Sequence, residues 1–412
     1  MPSLKNIPYK FIFFTLLFLI ADFVIENINH RFQLGDFKVY YEAANAICNG
    51  KQVYGVLFSL AIGYYKYSPF TALLFYPLSI LPYYYACVID FFLISVAVVC
   101  TSIIILNIFS NYIFKEPIKS PNLILSISLL CICTHLVREI ALGNVNIILL
   151  LVLCLSLFFL IREEFVLAGI LLAFVLITKP FFIILIIPLV MRRYFKTLLV
   201  TAITLLAFML LPALILGVTN NIAIHKQWLN TMLLHADSFP APNTIEALVR
   251  HYFSFAAPFH FQYIVMVVLL VPYVLFIFKN ISSGRKDENK KTGGLVMEWF
   301  VLIAMIPSMF KTDTEHFLMT LPIILFIIMY LFSNKNLLLT ILFVVLIILY
   351  AGNSSDLLGK NMSLTVYNLG VLGISNILII ALALFIYTRK IIGVEKDKLL
   401  SDTKSEVNRC NT

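Results

Sequence analysis

Charged residues are scarce in this chain. Asp, Glu, Lys and Arg make up 12% of its 412 residues, and apolar residues make up 61%, against about 25% and 45–50% in soluble proteins. This composition excludes a soluble globule, a disordered chain, a collagen and a coiled coil. The apolar runs are continuous rather than alternating, which also excludes a transmembrane β-barrel. The chain is therefore predicted to be an all-α polytopic membrane protein.

Several functional signatures are missing as well. The 7 cysteines lie mostly singly in apolar runs, so we expect neither a disulfide framework nor a zinc site. The sequence has no P-loop and no dinucleotide-binding glycine fingerprint. The net charge of +9 comes without a basic stripe interleaved with aromatic residues, so no nucleic-acid partner is predicted. No cofactor and no metal site is expected.

The apolar runs predict about twelve transmembrane helices, within two. The clear spans are 11–27, 83–109, 121–137, 145–161, 195–217, 262–279, 295–310, 316–332, 336–350 and 370–388. Two segments are ambiguous, because 68–82 is short and holds two prolines, and 165–190 is interrupted by Lys179-Pro180.

The positive-inside rule resolves both segments. If 68–82 lies in the outer interface and 165–190 forms two short helices, about twenty of the 30 Lys and Arg residues fall on the cytoplasmic side. Both termini are then cytoplasmic. The unusual polar residues gather on the outer face, which predicts a plasma (inner) membrane protein that works at that face. A transporter needs access to both faces, often through repeats, and no internal repeat is visible.

The chain is predicted to form one domain, 1–412. Within it we expect a catalytic module at 1–217 that contains the outer loop 28–82. Variable helices at 218–388 follow, with an outer loop at 218–262, and a basic cytoplasmic tail occupies 389–412.

Two residues are the main chemical candidates. Asp36, in Gly35-Asp36-Phe37, follows the first span; a carboxylate beside an apolar wall can act as a general base, although a solvated loop aspartate has the same pattern. Lys179 interrupts a long apolar run. Ionisable residues at such positions are usually functional, and a lysine suits a phosphate, but a lysine snorkelling at a hairpin tip is the alternative.

Further candidates lie in the predicted outer turns. Arg138 beside Gly143-Asn144-Val145-Asn146 suits an oxyanion or phosphate, or simply snorkels at a span end. His316 can relay a proton, and with Asp313 and Glu315 it can equally form a solvated helix cap. Tyr67, at the start of the short helix 69–82, fits an aromatic belt as well as a substrate site.

The remaining candidates are weaker. Asn243 and Arg250 lie in the predicted loop 218–262 with Trp228, which suits either sugar stacking or interface anchoring. Asp90 lies inside the second span and has no assigned role.

The order of several short motifs is more specific than any one of them. Along the chain lie Asp36, Tyr40-Tyr41, Asn49-Gly50, Val53-Tyr54, Tyr65-x-Tyr67-Ser68-Pro69, Pro77-Leu78-x-x-Leu81-Pro82, Gly143-Asn144-Val145-Asn146, Ala168-Gly169-Ile170-Leu171-Leu172-Ala173 with Lys179-Pro180, and Arg192-Arg193-Tyr194. This order resembles the family 87 glycosyltransferases, which are integral-membrane enzymes of the GT-C superfamily that use a polyprenyl-phosphate sugar. The resemblance covers most of 30–200 and extends more weakly to about 322.

The resemblance implies the GT-C fold, with interfacial helices in the first outer loop. It implies transfer of a hexose, typically mannose, from a polyprenyl-phosphate donor to a glycan or glycolipid acceptor at the outer face of the bilayer. By motif position, Asp36 is the base and His316 the second catalytic residue. The predicted substrate-binding residues are Lys179 and Arg138, which the resemblance places at the donor phosphate, together with Asn144, Asn146, Tyr67, Tyr41, Asn243 and Arg250.

The predicted reaction is a single, inverting and metal-independent displacement, because the motifs offer one general base and two cations. Two alternatives stay open: an outer-face polysaccharide polymerase or ligase, and a flippase or transporter of lipid-linked sugars.

Overall fold

The protein is described by a computed structural model, which covers residues 7–59, 63–115, 117–238, 241–253, 261–284 and 288–410. Part of the basic charge used to predict the topology lies outside these residues, at 1–6 and 285–287. Apart from one short hairpin, the regular elements of the described residues are helical. The all-α polytopic class is therefore confirmed.

The amino-terminal part places two helices and a hairpin between its first long helices. Its elements are α1 (Tyr9–Ile28), α2 (Gly35–Cys48), the antiparallel strands β1 (Leu57–Ser59) and β2 (Gly63–Tyr64), α3 (Pro69–Ser79), α4 (Tyr83–Phe109) and a π-helical turn (Ser110–Phe114).

The middle part consists of shorter helices joined by tight turns. Its elements are α5 (Pro121–Cys131), α6 (Cys133–Leu142), α7 (Asn146–Ile161), α8 (Phe165–Thr178), a 3-10 segment (Pro180–Leu185), α9 (Ile186–Met191), α10 (Phe195–Leu210) and α11 (Ala213–Leu216).

The carboxy-terminal part holds the remaining helices. Its elements are α12 (Val218–Ser238), α13 (Ile245–Phe253), α14 (Phe261–Gly284), α15 (Glu288–Met309), a 3-10 segment (Thr314–Thr320), α16 (Leu321–Asn334), α17 (Leu337–Ala351), α18 (Ser355–Leu358), α19 (Lys360–Asn368) and α20 (Val371–Cys410).

Six helical stretches of the described chain are long and apolar enough to cross a membrane, or seven if α5 and α6, bent by 69°, form one span. Five further apolar helices are shorter, at 10–17 residues. A total near twelve is reached only if each of these shorter helices also crosses the bilayer. Several spans are thus established by length and composition, and the number twelve stays a prediction.

The two ambiguous segments form the short helices that the sequence predicts. Pro69 begins α3, and the Ser68 hydroxyl caps it by accepting a hydrogen bond from the Thr71 amide at 3.2 Å. Further along, α8 ends at Thr178 and a 3-10 segment begins at Pro180, because proline lacks the amide hydrogen that would continue the helix.

The predicted outer loop 218–262 contains two helices. Most of it is helical, in α12 and α13. Polar residues interrupt the apolar runs in this region, and the same composition is typical of an amphipathic helix that does not cross the membrane.

Four chain segments converge at one place. They are the first turn of α2, the turn between α6 and α7, the break after α8 and the segment 311–316. Large apolar side chains that are fully buried, such as Phe37, Phe182 and Phe317, belong to the core that supports these segments. A rigid apolar framework therefore holds polar residues that are far apart in the sequence.

Candidate active site

A cavity of about 500 Å³ lies where the four segments meet. Its size is within the range of about 300–1,000 Å³ that is usual for small-ligand pockets. One part of the wall is polar, with Asp36, Asn144, Lys179 and His316. The cavity also has an apolar part, formed by Phe181, Ile183, Met232, Met309 and Phe310. The wall takes residues from both sides of the predicted boundary at 217.

Asp36 lies in the first turn of α2, where the helix dipole favours a negative charge. The Asn144 side chain donates a 2.6 Å hydrogen bond to Asp36 Oδ2. Gly143 makes this approach possible: its φ is +65°, and a Cβ there would lie 2.8 Å from Phe37 Cβ and 2.9 Å from Leu34 Cβ. The glycine of the Gly-Asn-Val-Asn motif thus lets the α6–α7 turn pack directly against α2.

Burial and, to a lesser extent, the nearby Glu315 carboxylate raise the pKa of Asp36 to about 6. Lys179 and the Asn144 hydrogen bond act in the opposite direction. Because a general base is most effective when its pKa lies near the working pH, this carboxylate is suited to accept a proton near neutrality. The aspartate predicted from its place after the first span is therefore not a solvated loop residue.

Lys179 is buried at the bottom of the cavity, with 3% of its surface exposed. Its ammonium group donates to Asn146 Oδ1 and lies 2.9 Å from His316 Nε2. The Tyr67 ring is 5.4 Å from the same nitrogen, within cation–π range. These contacts show a cation fixed inside the protein, rather than a lysine that snorkels to the surface.

Asn146 connects Lys179 to a buried carboxylate. Its Nδ2 donates to Glu139 Oε2 at 2.8 Å, and the Ile147 amide donates to Glu139 Oε1 at 3.0 Å. A carboxylate only accepts and an ammonium only donates, so the orientation of the Asn146 amide is determined by its two partners. Asn146 is fully buried and does not line the cavity. It positions Lys179 rather than contacting a substrate there.

His316 lines the cavity between Lys179 and Glu315. Because the ammonium group donates to Nε2, the neutral ring carries its proton on Nδ1, which lies 3.5 Å from Glu315 Oε1. Glu315 also accepts a 2.9 Å hydrogen bond from Arg138 Nε. In this arrangement Lys179 occupies the Nε2 lone pair, and the catalytic role of His316 stays a prediction.

The structure changes the predicted role of Arg138. Its side chain is 52% exposed, and it forms an ion pair with Glu315 without lining the cavity. The guanidinium neutralises a carboxylate that does line the cavity. Arg138 is thus behind the wall, where it contacts Glu315 but not the cavity.

The two predicted tyrosines differ in position. Tyr67 lines the cavity, and its hydroxyl lies 3.0 Å from that of Tyr40. Tyr41 points away from the cavity, since its hydroxyl donates to the Leu81 carbonyl at 2.7 Å. It joins α2 to the end of α3, and its predicted contact with substrate is not supported. Tyr40, its neighbour on α2, lines the cavity instead, because neighbouring residues on a helix face different directions.

Asn243 and Arg250 also lie outside the cavity wall. Asn243 Oδ1 accepts a hydrogen bond from the Gly373 amide at 3.2 Å, and Arg250 pairs with Glu246 at 2.9 Å. Asn243 lies just before α13 and Arg250 lies within it, and of this pair of contacts only Glu246 reaches the cavity. The predicted substrate contacts of Asn243 and Arg250 therefore stay predictions.

Asp90 is buried beside Gly143, and no described residue makes a hydrogen bond with its Oδ2. Its carboxylate therefore stands next to the turn that carries Asn144, outside the cavity.

Sequence reasoning missed three charged residues of the wall and the role of a fourth charged residue. Lys66, Glu246 and Lys311 line the cavity, and Glu139 supports Lys179 through Asn146. The position of Lys66 directly before Tyr67-Ser68-Pro69 was an available signal. Among the described residues, no three His, Cys, Asp or Glu side chains form a group suited to a metal ion; metal independence stays a prediction.

A sequence model described as glycosyltransferase family 87 matches residues 65–307. The match spans more than half of the chain, which therefore belongs to this family and is a membrane glycosyltransferase. No curated protein matches. Asp36, Tyr41 and His316 lie outside the matched residues. Asp36 is therefore connected to the matched residues 65–307 only by lining the same cavity as several of them.

Proposed function

We propose that this member of glycosyltransferase family 87 transfers a hexose, mannose in the first instance, from a polyprenyl-phosphate donor to the hydroxyl group of a glycan or glycolipid acceptor. The observation that carries the proposal is the cavity in which the Asp36 carboxylate and the Lys179 ammonium face the same space. A base and a cation are what such a transfer requires, one for the acceptor proton and one for the leaving phosphate.

The composition of the wall supports a lipid-linked donor. The aromatic and aliphatic residues Phe181, Ile183, Met232, Met309 and Phe310 give the cavity an apolar part. Such a surface can take up the first part of a prenyl chain from the bilayer without exposing it to water. Lys179 then lies within the same cavity as the charged head group of that chain.

In the proposed mechanism Asp36 accepts the proton of the acceptor hydroxyl as its oxygen attacks the anomeric carbon. The bond between that carbon and the phosphate oxygen breaks, and the electron pair leaves with the polyprenyl phosphate. Lys179 stabilises the charge that develops on this phosphate. Because the attack comes from the face opposite the leaving group, one displacement inverts the configuration. We place this reaction at the outer face of the plasma (inner) membrane, on the charge distribution of the linkers.

The proposal is tested with the full-length protein in proteoliposomes. Radiolabelled polyprenyl-phosphate-mannose and polyprenyl-phosphate-glucose are supplied with a membrane glycolipid extract, and nucleotide sugars are supplied in parallel. We expect labelled product from a lipid donor alone. Product formed only from nucleotide sugars would refute the donor class, and redistribution of intact donor across the bilayer would indicate a flippase. A ladder of long products would indicate a polymerase.

Asp36→Asn tests the assignment of the base. Transfer should fall by about 10²- to 10⁴-fold, the usual contribution of a general base. The matched control is Glu42→Gln, which neutralises another carboxylate of α2 that does not line the cavity. If Asp36→Asn transferred sugar as fast as Glu42→Gln, the catalytic assignment would be wrong.

A further inference from the structure

Lys66 is the one cation of the cavity wall that has no polar partner within the described chain. Its ammonium makes neither a hydrogen bond nor an ion pair with any described residue. In contrast, Lys179 donates to Asn146 and contacts His316, and Lys311 has an interaction of its own. A half-buried lysine without a counter-ion is costly unless a ligand supplies the anion.

The backbone beneath Lys66 is held in place by three successive hydrogen bonds. Trp228 Nε1 donates to the Lys66 carbonyl at 3.1 Å, and the Tyr54 hydroxyl donates to the Tyr67 carbonyl at 2.6 Å. The Tyr65 hydroxyl donates to the Ser68 carbonyl at 3.1 Å. Each of these donors is buried. The segment that presents Lys66 to the cavity is therefore preorganised, as binding sites usually are.

Trp228 connects this segment to α12. Its indole ring is 5% exposed and stacks edge-on with the His225 ring. The only other tryptophan of the chain, Trp299, is also buried, but no described residue accepts a hydrogen bond from its Nε1. Trp228 is thus neither a sugar platform nor an interface anchor; its indole N–H fixes the carbonyl of the residue that projects Lys66.

The charges around Lys66 favour a singly negative ligand. Asp313, Asp36 and Glu315 attract its ammonium from a distance, but burial has the larger effect and lowers its pKa. Of the carboxylates that line the cavity, Glu315 and Glu246 are already neutralised by Arg138 and Arg250. An anion that enters the cavity therefore meets three lysines, Lys66, Lys179 and Lys311, against the two remaining wall carboxylates, Asp36 and Asp313.

From these contacts we infer that Lys66 binds the phosphate of the lipid-linked donor. The inference rests on the proposed function and adds a residue that the sequence motifs did not indicate. Lys66 supplies a point charge from the wall, and Lys179 supplies a second one from the bottom of the cavity. Trp228 is a positioning residue that acts through the Lys66 carbonyl. The charge of Lys66 and its positioning by Trp228 both act on the bound donor, so Lys66 contributes mainly to donor binding and less to the chemical step.

Binding of a short-chain donor analogue tests this inference directly. Geranylgeranyl phosphate is titrated into the purified full-length protein in detergent, with geranylgeraniol as the uncharged control and phosphatidylglycerol as a bilayer phosphodiester. We expect Lys66→Ala to weaken geranylgeranyl phosphate binding at least fivefold and to leave geranylgeraniol unchanged. Lys66→Arg, which keeps the charge, should stay within about threefold of the unmodified protein. Lys51→Ala, an exposed lysine of the same region, is the matched control.

The tryptophan pair tests the positioning role. Trp228→Phe removes the N–H donor and keeps an aromatic ring, so it should weaken phosphate binding two- to threefold and raise the KM for the donor more than it lowers kcat. Trp299→Phe removes an indole N–H that has no acceptor among the described residues, and it should change neither quantity. Equal effects of the two substitutions would show that only packing is involved.

The outcomes separate the inference from the proposed function. If the unmodified protein binds geranylgeranyl phosphate no better than geranylgeraniol, the lipid-phosphate donor itself is refuted. If it prefers the phosphate but Lys66→Ala binds it equally well, only the role of Lys66 is refuted. A loss that is equally large for phosphatidylglycerol would overturn the assignment to the donor and indicate a bilayer lipid instead.

Discussion

The hydrogen bond from Asn144 to Asp36 offers a test with a calculable size. Asn144→Ala removes a donor that lies 2.6 Å from Asp36 Oδ2 and that lowers the pKa of this carboxyl. A hydrogen bond to a charged group contributes about 1.5–3 kcal/mol, and a pKa shift of one unit corresponds to about 1.4 kcal/mol. Because water in the cavity replaces part of the lost interaction, we expect the pKa of Asp36 to rise by about one unit.

This shift has a characteristic pH dependence. With a pKa of about 6 for Asp36, half of the molecules carry the base form at pH 6, and about nine in ten do so at pH 7. After Asn144→Ala the acid limb of the kcat/KM profile should have its midpoint near pH 7. Protonation alone then lowers activity about fivefold at pH 6 and by less than about 10% at pH 8.5.

The assay is the pH dependence of transfer from pH 5 to pH 9, measured as kcat/KM for the acceptor with saturating donor. Tyr41→Phe is the control, because it removes another hydrogen bond of α2 that does not involve Asp36; its midpoint should stay near pH 6. An Asn144→Ala profile that falls by the same factor at every pH, with an unchanged midpoint, would refute Asp36 as the titrating base.

Three further substitutions test the surroundings of the base. Asp36→Asn should raise the free energy of unfolding at pH 8 by an amount on the order of 1–2 kcal/mol, after discounting for solvent in the cavity. The folded-state pKa of Asp36 is raised, so the ionised carboxyl opposes folding above pH 6. The stability gained by the substitution should therefore vanish near pH 4. Glu139→Gln replaces a carboxylate that accepts two hydrogen bonds with an amide, so the Asn146 side chain flips and its NH2 group faces Lys179. We expect kcat to fall at least about tenfold while the circular dichroism spectrum stays helical. Gly143→Ala places a Cβ 2.8 Å from a side-chain carbon of α2 at a φ of +65°, so it should lower the free energy of unfolding by about 2–4 kcal/mol in denaturant titration. Gly50→Ala is the control: its φ is +64° but nothing lies within 4 Å of the new Cβ, so it should lower the free energy of unfolding by only about 1 kcal/mol.

Much of the fold follows from local sequence signals. Continuous apolar runs determine the long helices, Ser68-Pro69 determines where α3 begins, and Pro180 determines where α8 ends. These signals act over a few residues, so they are readable without knowing what packs against them. The helices α12 and α13 were missed because a polar amphipathic helix and a polar loop have similar compositions.

The site was predicted less completely, because its residues become related only through packing. The sequence singled out Asp36, Lys179 and His316, and the structure places all three on one cavity. No spacing rule indicates that Asn146 turns away from the cavity to hold Lys179, or that Arg138 is paired behind the wall with Glu315.

The amino-acid sequence by itself determined the class of the protein, its helical spans and the residue types of its chemistry, since hydropathy and backbone propensity are local properties. Tertiary structure alone decided which charges are paired and which are available. Lys66 shows the difference: in the sequence it is one lysine among many, and in the fold it is the wall cation for which the described residues provide no partner. Electrostatic energy depends on distance and burial, and both are set by contacts between residues far apart in the chain.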